Sequence, residues 1–108
     1  MAEAASIVSV YCIFGSAEEA KRIGRQVVEE RLAACVNNLG PCHSIYRWRD
    51  VIEDSQEVPA LFKTAARNAD RLVNRLADLH SYKVPAIAVW PVERTLPAYG
   101  EWVVESTG

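Results

Sequence analysis

Apolar and polar residues alternate through IVSVYCIF, residues 7–14. Val8, Val10, Cys12 and Phe14 share one face, and Ile7, Ser9, Tyr11 and Ile13 share the other. Both faces are largely apolar, which predicts a central strand covered on both sides. Gly15 ends it. Ser16 and Glu19 then form an S-x-x-E capping box, whose side chains can satisfy two of the free N–H groups at a helix start. The predicted helix spans 16–34, with Ala20, Ile23, Val27 and Val28 on its apolar side and the stripe continuing to Leu32. Glu18, Lys21, Arg22, Arg25 and Glu29 form its solvated face.

The period returns to two at Cys35. Over 41–64 the chain reads as a hairpin. Ser44, Tyr46 and Trp48 fall on one face of its first arm, and Ile45, Arg47 and Arg49 on the other. Asp50, Glu53, Asp54, Ser55 and Gln56 read as turn and loop, and Val58, Ala60, Phe62 and Thr64 share one face of the return arm. Pro59 cannot donate to a ladder and is expected at an edge or a bulge. A first arm over 35–49 would reach ~50 Å at ~3.3 Å per residue. The helix beside it covers only ~28 Å at ~1.5 Å per residue. A bend at Gly40-Pro41 shortens the overhang without removing it. Since an isolated two-stranded ribbon is marginal in water, other copies of the chain are expected to cover it.

In the second half, Ala69, Leu72, Val73, Leu76, Leu79 and His80 form one stripe at helical spacing, predicting a helix over 68–80. A strand is predicted over 84–92, opened by Pro85 and closed by Pro91. Pro97 suits the first turn of a short last helix whose apolar side is Tyr99, Trp102 and Val103. The order is β-α-β-β-α-β plus a C-terminal helix. It predicts an α+β, ferredoxin-like domain spanning 1–108, with one antiparallel sheet and two helices on one face.

Composition narrows the class. A net charge of −2 argues against general nucleic-acid or anionic-membrane binding. No apolar run approaches the ~20 residues of a membrane span. MAEAAS lacks a basic segment followed by an apolar one, so no signal peptide is expected. Cys12, Cys35 and Cys42 are odd in number and without a CxxC, which argues against a disulfide scaffold and fits a reducing cytoplasm.

The pieces VYCIF, EEAKRIGRQVVEERLAACVN, SIYRWRDVIEDSQEV, KTAARN, LHSYKVPAI and PAYGEWV, in this order, resemble the CutA1 family of divalent-ion tolerance proteins. The resemblance implies a homotrimer of PII-like architecture, in which long hairpins of neighbouring subunits complete intersubunit sheets. It also implies a relation to copper and other divalent ions, and no enzymatic reaction. Cys12 matches the family position associated with copper, and His80 the histidine of the LH-x-Y segment. Thiolate and imidazole together suit copper. Ala86 stands where many members carry Glu, and Leu79 where some carry a second histidine. Two donors are fewer than the three or four of a tight site, so copper or another divalent cation is expected to bind weakly. The plainer readings are a small buried hydrophobe for Cys12 and a core-packed helix end for His80. Cys42 and His43 are adjacent, but neighbours on a strand face opposite ways and should not chelate one ion.

Tyr46 and Trp48 are expected to be subunit contacts, and Arg47 and Arg49 to pair with Glu53, Asp54 or Glu57 within or between hairpins. The competing function is a PII-like small-ligand sensor or assembly scaffold. No Gly-rich phosphate loop, Ser-His-Asp set or paired carboxylates at defined spacing supports a nucleotide site or an enzyme.

Overall fold

The computed structural model describes residues 6–108; the N-terminal segment in which no signal peptide is expected lies largely outside them. The first strand, β1 (Ile7–Phe14), has the predicted bounds. Val10, Cys12 and Phe14 are fully buried against α1 (Ala17–Glu29) and α2 (Ala69–Leu79), through Ala20, Ile23, Val27, Leu72 and Leu76. Gly24 lets α1 approach the sheet: a Cβ there would lie 3.0 Å from Val36 Cγ1.

The helix α1 stops earlier than 34. Arg31 adopts φ 63°, its amide donates to the Val28 carbonyl, and the Leu32 amide donates to the Val27 carbonyl. This is a Schellman stop with Arg in place of the usual Gly. Leu32 continues the apolar stripe from outside the helix, which is why periodicity ran past the true end. Only half of the capping box forms: the Ser16 hydroxyl accepts from the Glu19 amide at 3.1 Å, while the Glu19 carboxylate bonds Ser81.

The first arm of the hairpin is broken into β2 (Cys35–Asn38) and β3 (Cys42–Trp48), with Gly40 at φ 84° between them. The return arm, β4 (Val51–Ala65), is a single strand of 15 residues. The turn is therefore Arg49-Asp50 alone, at φ 50° and 67°, the two-residue type I′ form. Glu53, Asp54, Ser55 and Gln56 belong to the strand and not to a loop. They read as loop because this part of the ribbon is solvated on both faces and shows no alternation. Pro59 sits opposite the break between β2 and β3. Its carbonyl accepts from Leu39 at 2.9 Å, so its nitrogen faces the same gap and no ladder bond is lost.

The last strand, β5 (Ile87–Pro91), is shorter than 84–92. The sheet order is β2-β4-β1-β5, all antiparallel, with β3 also on β4; this is the ferredoxin-like arrangement. On the face away from α1 and α2, Val103 of α3 (Pro97–Glu105) packs with Ile7 and Ala34. Trp102 of α3 stacks on Tyr99 and stays 45% exposed.

Among the described residues no helix packs on the far half of the ribbon. At ~3.3 Å per residue, β3 extends ~23 Å, and the molecule measures 53 × 25 × 22 Å. Ile45, Trp48, Val51 and Ile52 are exposed there. Within one chain neither Arg47 nor Arg49 pairs with an acid among the described residues; the Arg49 guanidinium lies 5.6 Å from the Trp48 ring centre instead.

Candidate functional site

The segment 80–86 joins α2 to β5 and is pinned at its ends and in the middle. His80 caps α2, its amide donating to the Leu76 carbonyl. Its ring stacks on Phe14 at 5.0 Å. Nε2 donates to the Ile13 carbonyl at 2.7 Å and Nδ1 accepts from the Tyr82 amide at 3.0 Å, which together assign the neutral ring with its proton on Nε2. The Ser81 amide and hydroxyl both donate to Glu19, at 2.9 and 3.0 Å. Burial pushes the Glu19 carboxyl up, but the bonds it accepts from the Ser81 hydroxyl and amide outweigh it and hold the group below its ordinary value. At the far end the Ala86 carbonyl accepts from the Ile13 amide at 3.2 Å.

Tyr82 links this segment to the ribbon. Its hydroxyl donates to Glu57 Oε2 at 2.8 Å, and burial with that bond pushes the phenol up to about 12. A Cβ at Gly15 would lie 3.0 Å from the same hydroxyl oxygen, so a bare backbone gives the ring its room. Between segment 82–86 and the ribbon lies a groove of about 670 Å³, whose lining includes Tyr46, Trp48, Glu53, Glu57, Tyr82 and Ala86.

The end of β1, His80 and the 84–86 entry thus meet at one rim. Cys12 is fully buried, and burial plus the charge of Glu19 pushes its thiol up to about 12, so it is held as a neutral thiol. Both His80 nitrogens already have partners. In this arrangement the two side chains do not fit a resident ion, because neither presents a free lone pair of the charge state a metal takes. Ala86 stands across from Ile13 and shares the groove with it, on the sheet face away from Cys12. Among the described residues no three His, Cys, Asp or Glu side chains gather for a metal. Cys42 and His43 do face opposite ways: Cys42 Sγ lies 3.5 Å from Ser44 Oγ, and His43 lies 3.9 Å from Asp54.

Sequence reasoning missed the part played by Glu19, Glu57 and Tyr82. The S-x-x-E spacing assigned Glu19 to its own helix, and nothing local ties Glu57 to a tyrosine 25 residues on.

The family model for the CutA1 divalent ion tolerance protein matches residues 8–106. The chain belongs to the CutA1 family. A divalent-cation tolerance protein CutA of Thermus thermophilus is 41% identical over 86% of this chain and 90% of its own length. Protein CutA of Mus musculus is 36% identical over 94% of this chain, which spans 58% of the mouse protein. The solved structure of a protein described as the periplasmic divalent cation tolerance protein CutA of Archaeoglobus fulgidus superposes with a TM-score of 0.89 at 33% identity, covering 93% of this chain and 97% of that one. CutA1 proteins are divalent-cation tolerance proteins, and that is the functional class of this chain. No described helix is long and apolar enough to cross a membrane.

Proposed function

We propose that this chain works as a single domain in a cytoplasmic, non-enzymatic homotrimer that binds or responds to divalent metal ions such as copper. The observation that carries the assembly is the uncovered ribbon, where Ile45, Trp48, Val51 and Ile52 are exposed on a two-stranded unit that does not stand well alone. Tyr46, Trp48 and Arg47 are the proposed subunit contacts. Any copper held through Cys12 and His80 is held weakly, because both side chains must leave the arrangement described above to donate to it. Binding there costs Cys12 its proton and His80 one of its two hydrogen bonds, which keeps the affinity at micromolar or worse.

Isothermal titration with Cu(II), and with Cu(I) under reductant, tests the metal reading on the parent, Cys12→Ser and His80→Gln. The expected result is weak parent binding lost in both variants. Tight binding that survives both changes contradicts the assignment. A second reading, a PII-like small-ligand sensor, is favoured by the groove between the ribbon and segment 82–86.

A further inference from the structure

The helix α3 is tied to the domain differently from α1 and α2. Those two bury the main core, whereas α3 gives Val103 to a separate cluster whose other buried members are Ile7 and Ala34. A nine-residue helix with so little apolar cover does not hold itself in water. Leu96 at its start gives no side-chain cap, and residues 93–96 between it and β5 form no regular structure. Its fastening is at the other end. α3 has no basic residue in its own last turn, and two arginines from elsewhere supply the positive charge that its end carbonyls favour. Arg31, just after α1, donates to the Glu105 carbonyl at 3.1 Å, and Arg67, just before α2, donates to the Thr107 carbonyl at 3.2 Å. The Gly108 amide returns a bond to the Arg31 carbonyl at 3.2 Å. Thr107 is 3% exposed, and its hydroxyl donates to the Val103 carbonyl at 3.1 Å. Arg31 holds φ 63°, where Gly is the unstrained choice, and the side chain carried at that strained position is the one that reaches the end of α3.

We infer that α3 with residues 106–108 is a strap, hinged at 93–96 and fastened by Arg31 and Arg67, that opens as one unit while the sheet, α1 and α2 stay folded. Opening bares Ile7 and Ala34 and lifts the Tyr99 hydroxyl from Cys35 Sγ, 3.6 Å away in the closed form. The strap thus governs access to this end of the sheet face opposite α1 and α2. It involves no metal donor and no residue of the ribbon or the groove, so it stands apart from the metal and small-ligand readings.

Hydrogen exchange read by mass spectrometry on the full chain tests this peptide by peptide, at equal solution mass for parent and variants. Amides of 98–107 should exchange at least about tenfold faster than those of β1 and α2. Their opening should also depend less on urea below the unfolding midpoint, because a strap exposes less surface than the whole domain. Arg67→Ala, a change at an exposed position, should speed exchange of 98–107 by about tenfold and leave β1 and α2 as they are. Arg31→Gly separates strap from fold, since it relieves the backbone while cutting one fastening. Exchange of 98–107 should rise by about tenfold while the urea midpoint holds or rises. Arg31→Ala cuts the same bond and keeps the strain, so its midpoint should fall below that of Arg31→Gly. Exchange of α3 at the rate of β1 in the parent overturns the inference, because α3 then opens only with the whole domain. A change spread evenly over all peptides in Arg67→Ala and Arg31→Gly overturns it too, as does unchanged exchange of 98–107 in both.

Discussion

Replacing Glu19 with Gln removes a charge from a side chain that ties α1 to the segment after α2. Glu19 is 7% exposed and accepts two hydrogen bonds from Ser81, at 2.9 and 3.0 Å. Bonds to an ionised acceptor contribute ~1.5–3 kcal/mol each. Gln keeps one carbonyl acceptor and loses the charge, so at neutral pH Glu19→Gln should cost about 2 kcal/mol, and Glu19→Ala more, because it also opens a void. The pH dependence has a definite sign. The folded group titrates below its ordinary 4.5, so its contribution is fully present above 4.5 and is lost as pH falls through the lower, folded value. Urea midpoints at fixed protein concentration, from pH 7 down to pH 3, read this directly. The gap between parent and Glu19→Gln should be widest at pH 7 and shrink at the acid end. A gap that is constant with pH, or no gap at all, refutes the charge-assisted link.

Trp48 and Trp102 are 46% and 45% exposed in one chain, so a difference between Trp48→Ala and Trp102→Ala reports what other copies cover. With roughly half of an aromatic's ~250 Å² left to bury, Trp48→Ala should cost up to ~3 kcal/mol per subunit of assembly energy. Trp102→Ala should lose mainly the Tyr99 stack, ~1 kcal/mol, and keep the trimer mass; equal dissociation of both variants counts against the ribbon as the contact. Cys12, fully buried with its thiol pushed up to about 12, should resist iodoacetamide in the folded protein at pH 8, while the half-buried Cys35 and Cys42 are labelled first; mass spectrometry of the labelled peptides checks this, and early labelling of Cys12 contradicts the packing.

The core was legible in the sequence because burial on one face imposes a period. Val8, Val10, Cys12 and Phe14, and the Leu72–Leu76 stripe, stand where alternation and helical spacing put them. The S-x-x-E start of α1 was also legible, through Ser16. What was misread falls where local pattern and tertiary partner disagree. Leu32 looked helical because it packs on the core from outside the helix, and β4 looked like a loop because residues 53–56 are polar on both faces. The two-residue turn was hidden because Arg49-Asp50 takes a conformation that Asn-Gly usually advertises. For the site, spacing alone could not show that both His80 nitrogens are engaged, nor that Glu57 meets Tyr82. Those contacts depend on strand register and on where segment 80–86 crosses the end of β1.

The uncovered ribbon is the centre of the account, and the most direct measurement is the mass of the parent protein in solution. Light scattering on a sizing column at micromolar concentration should return three times the 12.0 kDa chain mass, unchanged on severalfold dilution. A stable, folded species at one chain mass would contradict it, because the apolar side chains of the ribbon would then be tolerated in water with nothing over them.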